Sequence, residues 1–216
     1  MRMDGYTSFA AEHFFREKNG QPYFKCGVVN AENTSTEILT EADKRGKTEL
    51  TVSVEGESLW LIDFDKHDKC MFLAESKEYG LHKSSDHVVF QCKDGVWYLH
   101  IIELKTTVGS QTWKDVKKKF RTSYFNCMAL AKVLGIAISD DRVYAYTTYE
   151  TENYGKNTTS PAELRPILGE KAEDPMQDWN NGQLNSLPLA PEKKIFKHTK
   201  IQVTRTERGL VGNLVC

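Results

Sequence analysis

The 216-residue chain lacks the features that mark a specialised class. Its five cysteines, Cys26, Cys70, Cys92, Cys127 and Cys216, are odd in number, scattered and nowhere spaced Cys-x-x-Cys. That pattern speaks against a zinc site and for reduced thiols. No apolar run approaches the length of a membrane span, and Met1-Arg-Met-Asp-Gly lacks the apolar core of a signal peptide, so a cytoplasmic protein without membrane contact is expected. Charge of one sign is also missing. Lys plus Arg total 29 against 30 Asp plus Glu, which leaves no global attraction to nucleic acid; any such contact must come from a local patch. There is no internal repeat. The length suits one sizeable core, with one domain as the default.

What is present centres on residues 86–135. Asp94-Gly95 lies between two runs rich in Val, Ile, Phe and aromatic residues, a strong hairpin signal because the tight turns that match strand twist need positive φ. With that loop, Lys93 faces Val96, Phe90 faces Leu99, and Asp86 falls across from Glu103. Directly paired residues share a face, and alternation puts Lys105 on the same face as Glu103 while Leu104 points away. Two carboxylates side by side on a strand that is apolar at its other positions carry an electrostatic cost. Lys105 offsets part of it, and a hard divalent cation held by the carboxylates would offset the rest.

Asp86, Glu103 and Lys105 in this setting resemble the PD-(D/E)xK phosphodiesterases, the restriction-endonuclease-like nucleases. That signature has an acid opening one strand, then Glu or Asp, any residue and Lys on the next antiparallel strand, then a helix on the sheet. The residue before the first acid is Ser85 where the motif has proline, a departure common in the family. The resemblance spans about the middle half of the chain. It implies an α/β fold with a restriction-endonuclease-like core, a mixed central β-sheet flanked by helices. It further implies Mg²⁺ or Mn²⁺ held by Asp86, Glu103 and the Leu104 carbonyl, with Lys105 positioning the nucleophile or screening charge.

A third acid is open. Glu75 and Glu78 are the nearest upstream carboxylates to Asp86, and Glu12 and Glu41 are candidates from the N-terminal region, as a first-helix glutamate serves some family members. Asp63 and Asp65 are read as marking a strand that leaves the core into a polar turn. By strand parity His87 and His100 lie on the face opposite the acids, which makes them packing or surface residues, and His82 is read the same way.

After Lys105, Thr106, Thr107, Gly109 and Ser110 form a turn that suits close approach of a phosphate backbone. A long helix follows, with Trp113, Val116, Phe120, Tyr124, Cys127, Leu130, Ala131 and Leu134 on one apolar face and Gly135 as its stop. Off that face stand Lys114, Lys117, Lys118, Lys119 and Arg121. Of these, Lys114, Lys117, Lys118 and Arg121 are the candidate phosphate contacts, and Gln111 is placed to point at the site. A strand over 142–149 then completes a βαβ crossover, its tyrosines 144, 146 and 149 read mainly as sheet-face packing.

Elsewhere the pattern predicts a helix over 7–18 with Phe9, Ala10, Phe14 and Phe15 inward, and a strand within 21–30. It also predicts a weak helix over 36–44 capped by Ser35 or Thr34, and a hairpin from 49–54 and 58–64 turning at Glu55-Gly56 and feeding the same sheet. Cys70 to Ala74 is a brief apolar stretch before a charged connector. Residues 150–191 read as loop-rich, with Trp179 nearly alone and a short helix over 161–168. Residues 193–206 read as an edge strand with a basic surface, a second candidate for nucleic-acid contact. The expected organisation is 1–48 as an N-terminal helical and strand segment packed on the core, 49–150 as the nuclease-like core, and 151–216 as a loop-rich C-terminal extension with a terminal strand.

The expected function is a metal-dependent endonuclease hydrolysing phosphodiester bonds, with DNA preferred over RNA on family grounds, within a restriction or defence system. A homodimer or a partner protein would supply targeting. Two rival readings stand beside it: a catalytically inert or partner-activated binding module on the same fold, and a purely structural hairpin whose tail docks a partner.

Overall fold

The computed structural model describes residues 4–15, 17, 20, 22–43, 46–66, 83–153, 176–185 and 195–216. The chain opens with α1 (Gly5–His13), then β1 (Lys25–Cys26), β2 (Thr34–Asp43), β3 (Gly46–Glu55) and β4 (Glu57–Leu61). The hairpin β5 (His87–Lys93) and β6 (Val96–Glu103) leads through β7 (Thr107–Val108) into the long α2 (Ser110–Val133). Then come β8 (Val143–Tyr149), β9 (Thr151–Glu152), α3 (Gln177–Asn181), β10 (Gln183–Asn185), β11 (Ile195–Gln202), β12 (Thr204–Thr206) and β13 (Gly209–Val215).

The fold is mixed α/β. A seven-stranded sheet runs β1-β4-β5-β6-β8-β11-β10, and a four-stranded sheet runs β12-β13-β3-β2. In the larger sheet β6, β8 and β11 are mutually parallel and the other pairings antiparallel. β5 and β6 are apolar at both parities because both of their faces are covered. Val88, Phe90, Leu99 and Ile101 pack toward Trp113, Val116, Phe120 and Cys127 of α2. Val89, Ile102 and Leu104 pack toward Leu39, Leu50 and Val52 of the smaller sheet. The larger sheet is therefore flanked by a helix on one side and by a second sheet, not helices, on the other.

The hairpin register is as expected, with Lys93 opposite Val96, Phe90 opposite Leu99 and His87 opposite Ile102. Both turn residues, Asp94 and Gly95, have positive φ (53° and 77°). The helix after it buries Trp113, Val116, Phe120, Tyr124, Cys127, Ala131 and Leu134, with Leu130 at the margin. Gly135, at φ 72°, ends it. The connection from β6 through α2 to the parallel neighbour β8 is the expected crossover.

Other expectations are corrected. The helix expected over 36–44 is strand β2, paired along its whole length with β3. The expected hairpin at Glu55-Gly56 is instead a corner: β3 lies in the smaller sheet and β4 in the larger, and Gly56 at φ 83° turns the chain from one to the other. α1 stops at His13, with Phe9 and Phe14 about half exposed; its buried face is Thr7, Ala10 and Ala11. The strand within 21–30 is only Lys25–Cys26. β11 is no edge strand, since it lies between β8 and β10. Trp179 is fully buried in α3, its ring 5.1 Å from that of Trp113 and 5.2 Å from that of His198. The expected segment boundaries cut across shared sheets, because β2 pairs with β3, β11 with β8 and β13 with β3. The short helix over 161–168 and the apolar stretch at 70–74 lie outside the described residues. Among the described residues no helix is long and apolar enough to cross a membrane.

Candidate active site

β6 is the middle strand of the larger sheet, and the site forms where it ends. Glu103 continues the parity of Leu99 and Ile101, so its carboxylate points toward α2 and is fully buried. Asp86 immediately precedes β5 and is also buried. Its Oδ2 accepts a hydrogen bond from the Leu104 amide at 2.7 Å, which ties the start of one strand to the end of its partner. Thr148 of β8 fixes the next residue on both sides: its Oγ1 accepts from the Lys105 amide at 2.7 Å and donates to the Lys105 carbonyl at 3.0 Å.

Two ammonium groups meet these carboxylates. Lys105 Nζ lies 2.7 Å from Glu103 Oε1 and 3.6 Å from Asp86 Oδ2, and donates to the Leu104 carbonyl at 2.6 Å. Lys119, from α2, donates to the same Glu103 Oε1 at 2.6 Å and to Asp86 Oδ1 at 3.1 Å. The other Glu103 oxygen, Oε2, is buried with no hydrogen-bond partner among the described residues. A third acid approaches from the smaller sheet, where Glu41 of β2 puts Oε2 3.7 Å from Lys105 Nζ.

The electrostatics follow from this crowding. Burial, and then the Asp86 charge, push the Glu103 carboxyl up, while Lys105 and Lys119 pull it back. Burial opposes the charge on Lys105, yet Glu103, Asp86 and Glu41 outweigh it and hold that ammonium above the usual lysine range. Lys119 is held up in the same way by Glu103 and Asp86. Both lysines thus stay protonated and do not act as bases. Burial, and then Asp86, raise Glu41 to about 7, which makes its proton exchangeable near neutrality. An open pocket of about 200 Å³ adjoins the cluster, lined by Glu103, Lys105, Gln111, Thr112, Asp115, Val116 and Lys119.

Asp86, Glu103, Lys105 and the Leu104 carbonyl are brought together, and Gln111 borders the same pocket. Glu41 is the N-terminal acid that reaches them. Glu12 sits beside His13 and Cys26 instead. Glu75, Glu78 and His82 lie outside the described residues. Asp63, at φ 55°, takes an ion pair from Lys66 at 2.9 Å in the turn after β4, while Asp65 is near enough for the Asp86 charge to raise its carboxyl after burial has done so. His87 accepts from the Asp63 amide, and His100 is sandwiched between Gln91 and Tyr146 on the face away from α2, so neither histidine enters the cluster. Of the expected phosphate contacts, Lys114 is exposed, Lys117 pairs with Asp178 at 3.1 Å, Lys118 lies 3.7 Å from Asp115, and Arg121 is buried.

Lys119 is the residue that sequence reasoning left among the other lysines. A usable signal is present: Thr112, Asp115 and Lys119 recur at helical spacing beside the buried stripe, on the rim nearest the strand end.

The oxygen donors fit a hard divalent cation, and the unpartnered Glu103 Oε2 is a buried acceptor of the kind such an ion would satisfy. Among the described residues no three His, Cys, Asp or Glu side chains are grouped to hold an ion by themselves, so backbone oxygen and water would complete any shell. Neither a protein-family model, nor a curated protein, nor a solved structure matches the chain.

Proposed function

We propose that the chain is a metal-dependent nuclease of the PD-(D/E)xK kind, hydrolysing phosphodiester bonds with DNA preferred over RNA, on a restriction-endonuclease-like core. One observation carries the reading: Asp86, Glu103 and Lys105 converge at the end of the central strand, beside a pocket open to a ligand. Mg²⁺ or Mn²⁺, held by Asp86, Glu103 and the Leu104 carbonyl, would supply Lewis acidity to a water and to the phosphate oxygens. Thr148 accepts from the Lys105 amide, the other half of the peptide that carries the Leu104 carbonyl, and so keeps that carbonyl in place, while Asp86 holds the Leu104 amide one peptide earlier. Lys105, locked as an ammonium, acts as a hydrogen-bond donor that orients the attacking water or screens charge gathering on the phosphate. The pocket admits the phosphate between α2 and the strand end, and exposed Lys114 flanks the entrance to the helix.

The test is cleavage of plasmid, linear duplex, single-stranded DNA and RNA with Mg²⁺ or Mn²⁺, comparing wild type with Glu103→Ala and Lys105→Ala. Metal-dependent cutting that falls at least about 100-fold in both variants is the expected result. Persistent cutting by Glu103→Ala would defeat the assignment.

A second reading has an observation in its favour: the two lysines already neutralise Asp86 and Glu103. On that reading the chain is a binding module, inert or activated by a partner protein or a second copy within a restriction or defence system. Stoichiometric nucleic-acid or protein binding without turnover would identify it.

A further inference from the structure

Lys119 and Lys105 crowd a single oxygen, Glu103 Oε1, at 2.6 and 2.7 Å, while Oε2 of the same carboxylate has no partner among the described residues. Two like charges on one acceptor beside an unused one is an unfavourable way to neutralise a buried carboxylate, so the second lysine calls for a separate reason. The two differ in how they are held. Lys105 is tied by Glu103, Asp86, the Leu104 carbonyl and Glu41, and its backbone is clamped by Thr148. Among the described residues Lys119 pairs with the two carboxylates alone, and it does so from a helix face that continues through Val116 and Thr112 along the pocket wall. Moving off the carboxylates would leave its ammonium in that pocket.

The charge count gives the direction. Lys105 and Lys119 already balance Asp86 and Glu103, so a divalent cation would leave the cluster with excess positive charge. A phosphodiester anion offsets that charge. From this geometry we infer that Lys119 is a mobile counter-ion: it competes with a divalent cation for Asp86 Oδ1 and Glu103 Oε1 and, once displaced, binds the phosphate of the nucleic acid. Lys119 thereby sets a low cation affinity for the free protein and links cation uptake to substrate binding. The inference rests on the nuclease reading for the identity of the anion, but the competition for the carboxylates is independent of it.

The experiment uses the whole chain with Lys119→Met and Lys119→Gln, the second in case the first does not fold. Mn²⁺ affinity is measured by titration calorimetry without nucleic acid, and binding of a short DNA duplex is measured in Ca²⁺. Removing the competing charge should tighten Mn²⁺ binding at least about tenfold while duplex binding weakens by a similar factor. A purely structural lysine would move neither affinity in these opposite directions. Unchanged or weaker Mn²⁺ binding in both variants overturns the inference, whether or not wild type cuts DNA. Tighter Mn²⁺ binding in variants of a wild type that cuts no nucleic acid would support the counter-ion role and defeat the nuclease reading alone.

Discussion

Glu41 is an acid of the cluster that exchanges its proton near neutral pH, where its contribution to stability can be followed. Its folded-state carboxyl is raised from 4.5 to about 7, by burial first and by Asp86 next. The folded chain therefore binds this proton more tightly than the unfolded chain does. Stability from the group is complete below pH 4.5, declines as pH rises toward 7, and is flat above. Glu41→Gln removes that decline, so its melting temperature relative to wild type should rise steadily across this window. A constant difference in circular dichroism melts over the same range would show that Glu41 is not held protonated. The sequence made Asp86, Glu103 and Lys105 legible because strand parity and a two-residue turn fix which side chains share a face. It could not choose Glu41 over Glu12, since that depends on which sheet crosses the mouth of the site. Nor could it single out Lys119 within a run of three lysines, where one residue is a rotation of about 100° around the helix.

The elements that build the site were readable in proportion to how far their inward residues are apolar. β5, β6, α2 and β8 have continuous apolar faces, and each was expected in its place. β2 shows why others were not. Its inward parity is Ser35, Glu37, Leu39 and Glu41, of which only Leu39 is apolar, while Ile38 is 59% exposed on the outer face. Ser35 accepts from Ser58, and Glu37 takes Lys25 at 2.6 Å, so polar partners in the fold replace the alternation that periodicity looks for. α3 is the same problem in a short helix, because Trp179 is anchored by Trp113 of α2 and His198 of β11, both distant in sequence. This contact yields a prediction. Trp113→Ala and Trp179→Ala should each cost about 3–5 kcal/mol. Because the rings touch, the double variant should cost less than the two together by about 1 kcal/mol or more. Urea unfolding of the four proteins measures that coupling; strict additivity would mean that α3 and α2 are stabilised independently.

At the scale of the whole molecule, three histidines, His87, His100 and His198, are buried where protonation opposes folding. A second sheet against the first was invisible to pattern reading, since the same apolar strand suits a helix or a sheet as its cover. One consequence is the interior between the sheets, where His100 Nε2 lies 2.8 Å from Gln91 Oε1 and Nδ1 lies 3.1 Å from the Tyr146 hydroxyl. The Gln91 amide nitrogen donates to the Glu55 carbonyl, so its oxygen faces His100 as an acceptor and Nε2 carries the proton. The neutral ring is then satisfied at both nitrogens by accepting from Tyr146. Burial lowers His100 to about 3, and burial likewise lowers His198 to about 3 and His87 to about 4. For all three the unfolded value of 6.5 is the higher one, so their stabilising contribution is full above 6.5 and is lost as pH falls toward 4. Each histidine adds a slope of up to about 1.4 kcal/mol per pH unit in that window. Glu41 and Glu103, both raised by burial, work in the opposite sense. His100→Gln removes one titrating ring. Its unfolding free energy from urea titrations should therefore fall less steeply than that of wild type between pH 6.5 and 5, by about one proton's worth of slope. Parallel curves for the two proteins would mean that His100 takes up its proton as readily inside the fold as in the unfolded chain, with the Gln91 and Tyr146 contacts accommodating an imidazolium.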